Sequence, residues 1–431
     1  MPDFYVTFFT ELNLPCFLEP RLLRRYEMMT EVHIRPVSPS APGVKALDGH
    51  HQAWGASQAA WRFFNNENAS FPLLSGPLLA LAREAASAFD SQNLLVAHDW
   101  SHCNFPGHSS KTDRAKLSHE HDIGYELQAS LLIDSTTGYP LAPLGLNLRT
   151  AHGTYQWQEA DLQPVQPHLD ELVDRIHWQN HPGLDKPLVH VVDREADSVP
   201  HLKQLTDCLW LTRSRKGTTL LHDGKYKTVA EIASKLPTEL VGPVPFREGT
   251  AYLFAGETPV LLRRKTERNT ADAPAVRLVL SLVVDENGKV LACWYLLSNV
   301  MDVSATELSR WYCLRWNIES WFKLLKSDGF CLEDWQQSSG EALFRRLLVN
   351  SMACTLTFRL YRDESGDALH LKRFLIGLSG RVTKRSKPIT LPALLAGLYV
   401  FLQMQEMMNS YTMDELKDFA RIAGRFFGQL V

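Results

Sequence analysis

The sequence predicts a mixed α/β chain with a β-rich insertion and helical N- and C-terminal regions. Three observations predict it. Two short, largely apolar runs, Leu94-Leu95-Val96-Ala97 and Leu188-Val189-His190-Val191-Val192, each lead to an aspartate, as central strands covered on both faces do. From about 206 to 303 the pattern is largely that of strands. It is clearest where Asn287-Gly288 parts two apolar runs, a strong hairpin signal. After about 341 the apolar spacing is helical.

The elements follow in order. Glu19 to Met29 carries helical spacing, and the Pro/Ser-rich stretch Pro36 to Pro42 reads as a linker. Gly55 to Asn65 and Pro77 to Phe89 read as helices, the second with its proline at the first position, where no N–H is missed. Glu126 to Asp134 and Pro140 to Leu148 flank a Thr-Thr-Gly turn and form a hairpin. Leu169, Leu172, Val173 and Ile176 give His168 to His177 a helical face. Asp197 to Leu205 reads as a helix capped by Asp197, and Cys208 to Thr212 as a strand. Val276 to Val284 and Val290 to Leu297 pair across the Asn-Gly turn. Ser304 and Glu307 have capping-box spacing and open a long helix to about Ser327. Carboxylates at the ends of neighbouring strands converge on one crevice in folds of this kind.

Composition narrows the function. At 431 residues, a prior of about 150 per domain gives two to three domains. Hydrophobic residues make up 45% and charged residues 22%, so global disorder is excluded. No apolar run reaches the roughly 18 residues of a membrane span, and Met1 to Phe9 lacks the basic segment of a secretory signal. Seven widely spaced cysteines without a C-x-x-C point to a reducing cytoplasm rather than to disulfides. The net charge of -3 does not favour nucleic acid, but charge is unevenly spread. Between 341 and 390, ten Lys or Arg (345, 346, 359, 362, 372, 373, 381, 384, 385 and 387) face four acids. A solvated helical surface is the competing explanation of that run.

On a helical wheel Tyr312, Arg315, Glu319, Lys323 and Lys326 fall on one stripe about 80° wide. Leu314, Ile318, Trp321 and Leu325 lie opposite. An ordinary solvent face with an Arg315–Glu319 pair has the same pattern. The spacing Tyr312-x2-Arg315-x3-Glu319-x6-Lys326 resembles the Y-R-E-K signature of DDE transposases of the insertion-sequence-four family, the transposon-five-like enzymes. Four further blocks are similar to that family. They are His98-Asp99-Trp100-Ser101, Val191-Val192-Asp193-Arg194-Glu195-Ala196-Asp197, Ala59-Ala60-Trp61-Arg62-Phe63-Phe64-Asn65-Asn66 and Leu211-Thr212-Arg213-Ser214. The likeness runs over about residues 50 to 400. Trp100 departs from it, since small hydroxyl residues often follow the family's first Asp. Residues 1 to 50, with five basic residues against six acids, match the family's end-reading domain poorly.

The resemblance implies an RNase H-like core at 71–340 interrupted by the β-rich insertion at about 206–303. It implies a helical, end-binding region at 1–70 and a helical C-terminal region at 341–431 for DNA contact and dimerisation. It implies Asp99, Asp193 and Glu319 as catalytic residues holding two Mg²⁺ or Mn²⁺ ions, a role that suits hard oxygen ligands. Tyr312, Arg315 and Lys326 would hold DNA phosphate, with Lys323 on the same stripe. Trp294 would receive a flipped base, unless it is a core residue of its strand. Arg213 is either a DNA contact or one half of a surface pair. The implied activity is cut-and-paste transposition of a bacterial insertion sequence: cleavage at inverted-repeat ends, a hairpin intermediate, then strand transfer into target DNA by a homodimer. A catalytically inactive or domesticated relative that only binds DNA is the alternative, and a nuclease without strand transfer is a third reading. A zinc site from His98 and His102 or from His119 and His121 carries less weight, because sixteen histidines make chance neighbours common.

Overall fold

A computed structural model describes residues 18–34, 53–246, 249–263, 273–380 and 389–427. The expected linker at Pro36 to Pro42, most of residues 1 to 50, and Arg381, Lys384, Arg385 and Lys387 lie outside these residues. The chain divides into two compact units. The first holds Asn68–Phe322 and Gln337–Leu348; the second holds Leu18–Glu67, Lys323–Gln336 and the chain from Val349 onward.

The first unit is built on one sheet. Its strands are β1 (Leu94–Asn104), β2 (Ala115–Lys116), β3 (Ile123–Asp134), β4 (Pro140–Arg149), β5 (Thr154–Gln156), β6 (Leu188–Val192) and β7 (Leu209–Ser214). They continue as β8 (Thr219–His222), β9 (Lys225–Thr228), β10 (Glu239–Phe246), β11 (Gly249–Leu261), β12 (Ala275–Val284) and β13 (Val290–Ser298). The order is β5-β4-β3-β1-β6-β7-β13-β12-β11-β8-β9, with β10 beside β11 and β2 beside β3. In β4, β3 and β1 the pairings are antiparallel, whereas β1, β6 and β7 run parallel.

Helix α1 (Phe71–Ser87) begins six residues earlier than its spacing suggested. Pro72 holds the N-terminal position, and Pro77 lies inside the helix, buried against the core. The apolar residues Ala82, Ala85 and Ala86 of α1 pack with Leu94, Val96, Leu132 and Leu141. Helix α2 (His168–Gln179) and the short α3 (Val199–Gln204) bury Leu172, Ile176, Val199 and Leu202 around Trp210. Helix α3 is shorter than expected. Ser198, not Asp197, occupies its N-cap position. Asp197 instead accepts hydrogen bonds from the Arg215 N–H at 2.7 Å and from the Ser214 and Thr218 hydroxyls, bracing the end of β7. Helix α4 (Val229–Ala233) interrupts the strand-rich stretch.

The hairpin of β12 and β13 forms as read. Asp285 Oδ1 accepts from the backbone N–H groups of Asn287 and Lys289, and Gly288 takes a positive φ of 81°. The long helix expected after Ser304 is divided. Helix α5 (Ala305–Leu314) is capped by Ser304, α6 (Trp316–Lys323) follows, and a π-helical turn covers Leu324–Asp328. The backbone tightens at Arg315, where its N–H donates to the Tyr312 carbonyl and its carbonyl accepts from the Ile318 N–H. Ile318, Trp321 and Leu325 are buried, as the apolar side of the wheel requires.

In the second unit the described residues are helical: Pro20–Ile34, Ala53–Phe64, Gly366–Leu378, Leu391–Ser410, Met413–Phe427 and the end of Gly340–Arg362. Gly397 lets two of these approach closely, since a Cβ there would meet the Leu375 carbonyl oxygen. The local excess of positive charge is not simply displayed. Arg345, Arg346 and Lys372 are buried, and Arg345 donates to the Ala69 carbonyl while Lys372 donates to that of Tyr361. Among the described residues no helix is long and apolar enough to cross a membrane.

Candidate active site

Strand β1 does not stop at Asp99. It continues to Asn104, paired with β3 throughout, from Leu94↔Asp134 to Asn104↔Gly124. Its parallel partner β6 leaves earlier: the last pair is Ala97↔Val191. Asp99 therefore stands two residues beyond the point where β1 loses a neighbour. Asp193 directly follows β6 on that side. Strand termination thus opens a crevice between the two acids, the place where ligands settle in parallel sheets.

The stripe of α5 and α6 closes onto it. Arg315 donates from one guanidinium nitrogen to Asp99 Oδ2 at 2.9 Å and from the other to Glu319 Oε1 at 2.6 Å. Asp99 Oδ1 accepts from the Trp100 N–H at 2.9 Å, and Asp193 Oδ1 from the Glu195 N–H at 2.8 Å. Asp193 is within electrostatic reach of Asp99, Tyr312 and Arg315. Arg213, on β7, donates a hydrogen bond to the Tyr312 hydroxyl, and the Trp294 ring lies 5.4 Å from that of Tyr312. Seven of the nine residues singled out in the sequence are thus gathered here: Asp99, Asp193, Arg213, Trp294, Tyr312, Arg315 and Glu319. Lys323 and Lys326 belong to the second unit, where Lys326 lies 3.9 Å from Glu333.

Charge shapes the site. Burial raises the Asp99 carboxyl above the usual range; Arg315 opposes this and Asp193 adds to it. Burial disfavours the Arg315 charge, yet Asp99, Tyr312, Glu319 and Asp193 together raise its pKa, so the guanidinium stays charged. Burial also raises the Tyr312 phenol, which keeps its proton as a donor. Three carboxylates against the guanidiniums of Arg315 and Arg213 leave a negative surplus, and an all-oxygen donor set suits hard divalent cations. Among the described residues, only His177, Asp207 and Cys208 form a set of three whose ligand atoms all come within 4.8 Å of one another. The acids at the crevice are set wider, with Arg315 between Asp99 and Glu319.

Beside the site, Glu126, His168, Lys116 and Arg149 have no sequence signal, and His98 and His102 have only that of a candidate zinc pair. Glu126 on β3 is held by His168 Nε2 at 2.9 Å, and the Trp100 ring stacks on His168 at 5.6 Å. Glu126, His168, His102, Lys116 and Arg149 line a pocket of 510 Å³. His98 points into the core, bonded to His190 at 2.9 Å and to the Ser130 hydroxyl at 2.9 Å. Burial pushes His190 down to about 3 and His98 well below its usual value, so both rings are neutral. Cross-strand partners set these contacts, and residues far apart in the chain do not announce them.

The Transposase DDE domain family matches residues 90–356. No curated protein matches the chain. Among solved structures, a cryo-EM piggyBac transposase synaptic complex with hairpin DNA is similar at 12% identity and a TM-score of 0.33. The alignment covers 77% of this chain and 57% of that one, so this chain spans little more than half of that protein.

Proposed function

This chain belongs to the Transposase DDE domain family, and on that premise we propose that it is a metal-dependent DNA transposase of the insertion-sequence-four type. One observation carries the reading. Asp99, Asp193 and Glu319, from three separate parts of the chain, border one crevice around Arg315. The sheet order β4-β3-β1-β6-β7, three antiparallel strands followed by two parallel ones, supports an RNase H-like core. With β7 counted in that core, the insertion before the helix of Glu319 would comprise β8 to β13 and begin after β7 rather than at about 206.

Asp99, Asp193 and Glu319 would hold two Mg²⁺ or Mn²⁺ ions. Such ions, when bound, make water or a 3′ hydroxyl a better nucleophile and neutralise charge on the phosphate. Arg315 opposes the effect of burial on the Asp99 charge and orients both Asp99 and Glu319 in the crevice. As DNA enters, its phosphate competes for the planar guanidinium fork. An oxygen of Asp99 or Glu319 that Arg315 holds is then released. Tyr312, kept protonated and steadied by Arg213, donates to phosphate. Trp294 offers a ring face for an unstacked base, which favours the sharp strand distortion of a hairpin. Lys323 and Lys326 contribute point charges to the DNA backbone.

The enzyme acts as a homodimer on paired inverted-repeat ends and joins them to target DNA. Exposed Met404, Met407, Met408, Tyr411 and Phe419 on the C-terminal helices supply apolar surface for that pairing. The test is cleavage and joining of labelled end DNA by Asp99→Asn, Asp193→Asn and Glu319→Gln. Each is expected to lose roughly a hundred- to a thousandfold in rate while still binding DNA, the scale of removing a principal electrostatic group. A variant that still cleaves well removes its residue from the triad. Trp294→Ala is expected to slow hairpin formation more than the first nick. Equal slowing of both steps contradicts the base-stacking role.

A further inference from the structure

At the other end of the parallel strands, three ligand-type side chains meet. His177 lies in the last turn of α2, and Asp207 and Cys208 lead into β7. Cys208 Sγ is 3.8 Å from His177 Nδ1 and 3.5 Å from Asp207 Oδ1, and His177 Nδ1 is 3.7 Å from Asp207 Oδ2. In tetrahedral zinc sites, bonds of about 2.0–2.3 Å place the donor atoms about 3.3–3.6 Å apart. Cys208 and His177 approach different oxygens of Asp207; with one ligand atom taken from each residue the set lies within 4.8 Å, and a turn of the exposed Asp207 carboxylate brings one oxygen toward both partners.

The surroundings fit a bound ion. Cys208 is 3% exposed, so its sulfur lies on the protein side. His177 and Asp207 have 37% and 71% of their side-chain surface exposed and leave an entry path and room for a fourth ligand. Asn180 Nδ2 donates to Cys208 Sγ at 2.7 Å, and Asn180 Oδ1 faces His190 Nε2 at 3.3 Å. A fixed donor to the sulfur is the outer-shell contact that orients a metal-bound thiolate. The pair Val192↔Thr212 marks the Asp193 end of β6 and β7, four residues along β7 from Cys208. At about 3.3 Å per residue that is roughly 13 Å along the strand, so the cluster is separate from the acids of the crevice.

We propose that His177, Asp207 and Cys208 form a zinc site that ties the end of α2 to the start of β7, with water as the fourth ligand. The mixed nitrogen, oxygen and sulfur set selects zinc over the magnesium expected at the crevice. The ion closes a link between residues about thirty positions apart and stabilises the folded state by its binding free energy.

The test uses the full chain, freed of metal and then dialysed against Zn²⁺ in the presence of Mg²⁺, with bound zinc counted. Wild type and Asp99→Ala are each expected to retain one zinc per chain. His177→Ala and Cys208→Ser are expected to bind at least tenfold more weakly. Co²⁺ is expected to give a thiolate-to-cobalt charge-transfer band in wild type that Cys208→Ser lacks. Zinc is expected to raise the Tm of wild type but not of His177→Ala. The half-exposed His177 makes that variant informative even where Cys208→Ser fails to fold. Wild type that retains no zinc, zinc lost in Asp99→Ala, or undiminished binding by folded His177→Ala would each overturn the proposal.

Discussion

Arg315 reaches Asp99 with one guanidinium nitrogen and Glu319 with the other. A lysine keeps the charge but cannot reach both acids as a fork. Arg315→Lys is therefore expected to lose a charge-assisted contact of about 1.5–3 kcal/mol, or roughly 10- to 150-fold in cleavage rate. End-DNA binding should weaken as well, since the same fork meets phosphate, but a loss confined to binding contradicts the role toward the acids. The neighbouring pair His168 and Glu126 titrates. The hydrogen bond to Glu126 raises His168 above its usual value. Burial opposes the Glu126 charge, but the bonds from His168 and Gln128 outweigh it and leave that carboxyl lowered. A raised histidine contributes stability that is full below its unfolded pKa of about 6.5 and is lost as pH rises through the folded value. A lowered glutamate contributes stability above its unfolded pKa of about 4.3, lost as pH falls through the folded value. The pair is most stabilising between those limits. The Tm of wild type should decline as the pH rises above about 6.5, and His168→Gln should flatten that decline. Parallel pH profiles for the two proteins contradict the pairing.

At the scale of elements, local chemistry was readable and partners were not. The β12–β13 turn follows from Asp285, Asn287 and Gly288 alone. Gly288 has φ +81°, where a Cβ is disfavoured. Gly288→Val should destabilise the chain by about 1–2 kcal/mol, read by denaturant unfolding, and an unchanged midpoint contradicts the turn geometry. Strand β6 was legible from its apolar run, and Asp193 from the position just after it. The length of β1 was not, because its second half, from His98 on, is polar and is held by pairing with β3. The spacing of Tyr312, Arg315 and Glu319 survives the tightening at Arg315, although the single long helix does not. Pro77 misled the start of α1, since burial tolerates a proline that spacing alone would place at an end. The contacts of Glu126, Asp197 and His98 depend on strands distant in sequence, so no local pattern carried them.

At the scale of the molecule, a net charge of -3 must be reconciled with DNA. Arg345, Arg346 and Lys372 are engaged in internal hydrogen bonds, so phosphate contact falls to fewer exposed groups. End-DNA affinity should still fall with salt, because each phosphate contact releases counterions. A slope near zero in log affinity against log salt contradicts backbone binding. Complexes on paired ends should contain two chains by light scattering, and one chain per unpaired end contradicts the dimer. The account rests most heavily on the three acids of the crevice acting together on DNA. Its most direct test is cleavage of a labelled inverted-repeat end with Mg²⁺, with Mn²⁺ or with EDTA, wild type beside Glu319→Gln. Cleavage that needs the metal, yields hairpin ends and disappears in the variant is the predicted result. Metal-independent cleavage, or equal cleavage by Glu319→Gln, contradicts it.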